Sequence, residues 1–215
     1  MSQSESTQSN GDAQNTNREV ARRVFATELD DATYTFKEED REQAPNYALL
    51  PTGEKANRVF VVGTLTEVND VGEDSEYLQG RIVGPSGTFF VYAGPQYQPE
   101  PAAFLRDVVT PKYVSVTAKP QTYDTDDGDT NVSLRPESIT EVDEATRNRW
   151  VVETADQTAD RIKADAPSDH YNQLVNQKYD EVDLSVYQTA AIEAVESVTG
   201  SGGEDTKPEA EPAEQ

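Results

Sequence analysis

The chain has 215 residues, with 41 Asp and Glu against 18 Lys and Arg and a formal net charge of -23. Cysteine is absent and histidine occurs once, as His170, which excludes disulfides, thiolate metal sites and cysteine nucleophiles. No apolar run is long enough to span a bilayer, and the opening MSQSESTQSNGDAQN lacks the apolar core of a signal peptide; the expectation is a soluble, cytoplasmic protein.

Residues 1–15 are mainly Ser, Gln, Asn and Gly and cannot bury enough apolar area to offset the entropy of ordering, so they are expected to be a disordered tail. Residues 16–57 form the next segment. Thr16 and Glu19 have the capping-box spacing, and Val20, Val24, Phe25 and Leu29 recur at helical intervals, so a helix is predicted from residue 16 to about Asp30, ahead of the β-prone ATYTF.

From residue 58 to 142 the pattern changes to alternation. RVFVVGTLTEV (58–68), YLQGRIVG (77–84), TFFVYAG (88–94), KYVSVTAKP (112–120) and NVSLRP (131–136) read as five strands. Pro85, Ser86 and Gly87 close one turn, and DTDDGDT, with Asp127 followed by Gly128, closes another. Between Pro101 and Pro111, the residues Ala102, Ala103, Phe104, Leu105 and Val108 fit a short helix. Five strands with one helix between the third and fourth is the order of an OB-fold β-barrel; an SH3-like barrel, the runner-up, lacks that helix. The predicted class is therefore mixed β/α, an OB-fold barrel flanked by N- and C-terminal helices.

Residues 143–198 return to helical spacing. Asp143 can cap a helix carrying Trp150, Val151, Ala155 and Ile162; Tyr171, Leu174 and Val175 suggest a further turn or two. Ser185 and Gln188 repeat the capping-box spacing ahead of Tyr187, Ala191, Ala194 and Val198. These helices read as a scaffold packed on the barrel or as a partner-binding surface. Residues 199–215 are expected to be a disordered acidic tail.

Charge is unevenly spread. Residues 1–57 hold 11 acids and 6 bases, residues 58–123 hold 7 and 5, and residues 124–215 hold 23 and 7, giving nets of -5, -2 and -16. A surplus this large fits either a disordered chain or a folded surface kept hydrated at high salt. The regular apolar patterning favours the folded, halophilic reading, as does the scarcity of lysine, 7 against 11 arginines. The barrel is close to neutral, so a nucleic-acid site, if there is one, belongs there.

Alternation sorts the strands into faces. Leu78, Ile82, Val114, Val116, Ala118, Val132 and Leu134 should point inward; Tyr77, Gln79, Arg81, Tyr113, Ser115, Thr117, Lys119, Ser133 and Arg135 should point outward. Phe90 and Tyr92 are assigned outward because a phenol prefers water. Strands two and three of an OB fold carry its usual ligand surface, so Tyr77, Arg81, Phe90 and Tyr92, flanked by Lys119 and Tyr123, are the candidate nucleic-acid-binding residues: aromatic platforms with cations beside them. The competing reading packs these rings beneath the flanking helices.

Catalytic and metal chemistry find no support in the motifs. DTDDGDT resembles a calcium loop, but the twelfth position counted from Asp124 is Arg135 where a glutamate is needed. His170 stands beside Asp169 and Tyr171 with no histidine or cysteine partner, and no phosphate loop, nucleophile elbow or zinc spacing occurs. No catalytic residue, metal, cofactor or small-molecule substrate is expected.

The stretches NRVFVVGTLTEV, GRIVGPSGTFFVYAGPQYQPE, AAFLRD, AKPQTY, VSLRPESIT and VDEATRNRWVVETA closely resemble haloarchaeal replication protein A-associated proteins, OB-fold relatives of replication protein A, over about Tyr34 to Ile162. The family pattern is nearer VVDPTG and VGKP where this chain has IVGPSG and TAKP, differences confined to turns and strand ends. The resemblance implies an accessory subunit acting in DNA replication and repair on the nucleoid, with two partners: single-stranded DNA and a cognate replication protein A subunit. A scaffold that contacts only that subunit is the alternative.

Overall fold

The computed structural model describes residues 19–41, 44–125, 127–163 and 169–200. The chain enters as a two-residue strand, β1 (Arg22–Arg23), which pairs in parallel with Val59 and Phe60, and then makes one short helix, α1 (Ala26–Asp30). The helix predicted from residue 16 is therefore corrected: its cap falls outside the described residues, residues 19–25 are not helical, and Val20 is 80 % exposed. Val24, Phe25 and Leu29 are buried, but from an extended segment running into a single turn and a half of helix. The edge of the first barrel strand offers backbone partners there, the Arg22 N–H donating to the Arg58 carbonyl at 2.8 Å, and such tertiary pairing outweighs a weak local helical preference.

A small antiparallel sheet follows, β2 (Thr35–Lys37), β3 (Asn46–Leu49) and β4 (Lys55–Ala56), in that spatial order. Of it, only the β-prone stretch at ATYTF was anticipated.

The barrel consists of β5 (Val59–Asp70), β6 (Leu78–Gly84), β7 (Gly87–Ala93), β8 (Lys112–Asp124) and β9 (Thr130–Glu141), with α2 (Pro99–Asp107) between β7 and β8. The sheet runs β5-β6-β7-β9-β8 and closes because β5 also pairs with β8, Val59 opposite Ala118 through Leu65 opposite Lys112. Five strands closed in this order, with the helix between the third and fourth, are an OB fold. Its interior holds Val61, Leu65, Ile82, Phe89, Val91, Val114, Val116 and Leu134, all buried, as alternation requires.

β8 and β9 are longer than predicted, since both were expected to stop at a proline. Pro120 lies opposite Leu134, and Pro136 lies opposite Ala118 beside a register shift between Thr117 and Ala118. A bulge removes the need for the missing N–H, and the ladder continues past both rings. Gly128 at the hairpin tip has φ 90°, which only glycine adopts without strain.

Three helices complete the chain: α3 (Glu144–Lys163), α4 (Asp169–Lys178) and α5 (Leu184–Thr199). Asp143 accepts the Thr146 N–H at 2.8 Å, the cap read from the sequence. The cap of α5 is Asp183, which accepts the Ser185 N–H at 3.0 Å, in place of the predicted Ser185. Trp150 fixes α3 to the barrel: its ring packs edge-on against Phe25 at 5.7 Å and its Nε1–H donates to the Phe60 carbonyl at 2.9 Å. Ala191 and Ala194 bring α5 into the same core. Among the described residues no helix is long and apolar enough to cross a membrane.

A buried ion pair joins the segment before the barrel to the helix that follows it. Arg161 of α3, 8 % exposed, donates to both oxygens of Glu28 in α1, 1 % exposed, at 2.6 and 3.1 Å. Thr52 donates to the same carboxylate at 2.6 Å. With its remaining lone pairs satisfied in this way, the desolvated pair is tolerated, and removal of one partner would strand the other.

At the end of α1, Asp30 is exposed as a residue, yet partial desolvation of its carboxyl first and the neighbouring Asp31 carboxylate second push it up to about 6. A folded-state value above the unfolded one contributes stability that is complete below about pH 4 and lost as the pH rises through about 6. Asp30→Asn should therefore melt above the parent protein at about pH 8 and level with it near pH 4. Thermal melts at the two pH values check this, and a variant no more stable at the higher pH refutes it.

Candidate nucleic-acid interface

β6 and β7 form a tight hairpin in which Gln79 faces Tyr92 and Arg81 faces Phe90. Leu78, Ile82, Phe89 and Val91 fill the barrel interior, so the intervening side chains stand on its outer face. Phe90 is 36 % exposed and Tyr77 41 % exposed, so neither is covered by a helix.

Tyr77 is set in place by the loop before β6. Asp70 at the end of β5 accepts the backbone N–H groups of Gly72 at 3.0 Å and Tyr77 at 3.1 Å, and these hydrogen bonds hold its carboxyl below the usual carboxylate range. The Tyr77 ring then stacks on Tyr92, with centroids 5.9 Å apart and planes 25° from parallel. Gln79 donates to the Tyr92 hydroxyl at 2.5 Å. Burial pushes the Tyr92 phenol above 10 against the opposing effect of that hydrogen bond, and the nearby Tyr123 adds to the rise, so Tyr92 is neutral at any physiological pH.

Tyr123 comes from the far end of β8 and completes a cleft of about 350 Å³ with Tyr77, Tyr92, Gln121, Thr122 and Ser133. Three of the six residues singled out from the sequence thus converge. Arg81 and Phe90 lie one rung away on the same outer face; Arg81 donates to the Thr66 hydroxyl at 3.3 Å. Lys119 is not in the cleft. It stands opposite Arg135, with Nζ 4.0 Å from Glu137, a carboxylate that already holds Arg58 at 2.5 and 2.9 Å.

Sequence reasoning did not reach Gln121 and Thr122, and it put Ser133 on the outer face without assigning it to the site. The signal was present, because alternation carried past Pro120 puts Gln121 and Tyr123 on the face of Lys119; the proline was read as the strand's end. Of the features set aside, His170 is exposed and packs edge-on against Tyr171 at 5.2 Å. Thr125 and Asp129 bond to each other across the hairpin tip, while Asp126 lies outside the described residues. Among the described residues no group of three or more His, Asp or Glu could hold a metal ion. A neutral aromatic cleft of this kind can stack flat groups and hydrogen-bond their edges; it offers no nucleophile or tuned acid.

No protein-family model matches the chain, and no curated protein sequence matches it. Solved structures are similar at the level of the barrel. The Stn1-ten1 complex of S. pombe aligns at TM-score 0.46 and 15 % identity over 52 % of this chain and 78 % of the other. The S. cerevisiae mitochondrial single-stranded DNA binding protein Rim1 aligns at 0.31 and 22 % over 40 % and 91 %. An OBody bound to hen egg-white lysozyme aligns at 0.35 and 13 % over 40 % and 94 %.

The two faces of β6 predict opposite sensitivities. Tyr77→Ala should shift the unfolding free energy by less than about 1 kcal/mol, whereas Leu78→Ala should cost about 2–5 kcal/mol. Urea titrations of both variants measure the difference; equal losses would mean that the outer face is load-carrying core.

Proposed function

We propose that this protein is an accessory subunit of a replication protein A-type complex that binds single-stranded DNA without turnover, in replication and repair. The observation that carries the reading is the cleft in which Tyr77, Tyr92 and Tyr123 converge on the open face of an OB barrel. Stacking on such rings contributes about 1–3 kcal/mol per base and tolerates any sequence. Arg81 and Phe90 extend the platform along the hairpin. The resemblance of residues 34–162 to replication protein A-associated proteins supports the same reading and supplies the partner. A soluble protein working on the nucleoid follows from that role.

The negative charge is compatible with a polyanionic ligand. Residues 58–123 carry a net of only -2, and at about 1 M salt the screening length is about 3 Å, so distant carboxylates hardly repel the strand. Lys119, paired toward Glu137, is assigned to the flank of the site.

A second reading, a scaffold that contacts only the replication protein A subunit, is favoured by one feature. A groove of about 370 Å³ between α3 and α5 is lined by Ala155, Ala159, Ile162, Ala191, Ile192 and Val195. Titration of a labelled oligonucleotide in about 1 M KCl separates the readings. Saturable binding by the protein alone, weakened about ten-fold by Tyr92→Ala, supports the first. Absence of binding, with co-elution of the cognate subunit, rejects it in favour of the second.

A further inference from the structure

Ser133 and Gln121, which line the tyrosine cleft, face each other across β8 and β9; the next outward pair along the same two strands is Arg135 opposite Lys119. Like charges directly opposed on a sheet are unfavourable; Glu137 is the carboxylate that pairs with both Arg58 and Lys119, and Glu19 acts on Arg58 from further away. Glu137 accepts two hydrogen bonds from Arg58. Arg135 is exposed and, among the described residues, has no ion-pair partner. On a chain of net charge -23 this is a local concentration of positive charge held at a cost to the fold.

Arg135 also lines a second cleft, of about 420 Å³, with Tyr97, Pro99, Pro101 and Glu137. Tyr97 is 75 % exposed, an unusual position for a ring with no part in the core. The two clefts adjoin along both walls. On one, Ser133 is followed after a single inward residue by Arg135. On the other, Tyr77 rests over Gly94, where a Cβ would lie 3.2 Å from the ring, and Gly94 begins the turn that carries Tyr97, accepting its N–H at 3.1 Å. Stacking rings in both clefts, with a guanidinium lining the second, is an arrangement suited to a chain of bases and phosphates.

We infer that single-stranded nucleic acid runs from the tyrosine cleft over the β8–β9 face into the second cleft, with a phosphate on Arg135 and a base on Tyr97. The inference rests on the single-strand-binding reading above and adds a second subsite to it. Lys119 serves the phosphate from across the ladder, and Glu100, in the first turn of α2, lines the second cleft with the prolines and Glu137. The footprint of the barrel is accordingly longer than the tyrosine cleft alone would hold.

The test uses the full chain and oligothymidylates of about 4 and about 12 nucleotides, lengths at the short and long ends of what one OB barrel covers. Tyr97→Ala is expected to weaken binding of the longer oligonucleotide about ten-fold and to leave the shorter unchanged. Arg135→Gln should lower the slope of log affinity against log salt by about 0.7 for the longer one, the signature of one lost single-strand phosphate contact. Unchanged melting temperatures, expected for exposed positions, show that both variants fold. If both bind the longer oligonucleotide like the parent while Tyr92→Ala does not, the strand leaves the tyrosine cleft by another route and the second subsite is refuted with the first intact. If the parent binds neither length, the single-strand reading itself fails and takes this inference with it.

Discussion

β5 is hydrogen-bonded to β8 over its first half and to β6 over its second, and overlaps both at Thr64 and Leu65. A strand can serve two neighbours in this way only by bending sharply. The bend is made by a register shift between Leu65 and Glu67 and by Gly63, where a Cβ would come within 2.7 Å of the Val83 carbonyl oxygen. Barrel closure, and with it the direction in which every outer side chain points, depends on that bend. The same strand also supplies the Phe60 carbonyl that receives Trp150, so the helical layer is anchored at its beginning while the β6–β7 hairpin grows from its other end. The helices therefore pack away from Tyr77 and Phe90, which stay open to solvent.

How much of this could be read from the residues follows from how local each cause is. The barrel strands were legible because alternation of small β-branched and aromatic residues needs no partner to be seen. Val20, Val24, Phe25 and Leu29 were not, since their spacing suits a helix and the pairing of β1 with β5 that overrides it joins residues far apart in the chain, Arg22 with Val59 and Arg23 with Phe60. The small sheet was missed for a related reason: β2 and β4 are only 3 and 2 residues long, too short for a period to show. Within the site, the outward set on β6 and β7 could be listed from sequence, but the convergence of Tyr123 on Tyr77 and Tyr92 depends on β9 passing beside β7 at Leu134 and Val91. Lys119 failed to join them because it stands one outward position before Gln121, about 7 Å along the strand, enough to carry it past the cleft's wall.

Electrostatics divides the molecule by distance more than by sign. The Arg161–Glu28 pair is desolvated and so escapes ionic screening, which makes it a tie between α1 and α3 whose strength changes little with salt. Pairs at the surface, such as Lys112 with Glu141 and Arg22 with Glu54, are worth little at any salt and less at high salt. An acidic exterior of this kind sets solubility and hydration, while the fold is held by the core and by one buried contact.

The composition of the tyrosine cleft fits that division. A phenol held above its ordinary pKa carries no charge to be screened, and stacking, which depends on contact and desolvation, is not lost as ionic strength rises. A site built instead from lysines would gain its affinity from counterion release and would lose it steeply with salt. The cations near the cleft are few and short in range: Arg81 tied to Thr66, Lys119 beside Glu137, and Arg135 exposed in the lining of the second cleft. They can fix the path of a phosphate chain at contact distance without supplying most of the binding energy. A protein with 41 acids and 18 bases could not recruit a polyanion through its overall field, so the single-strand binding proposed above assigns affinity to neutral rings and direction to a few placed guanidinium groups.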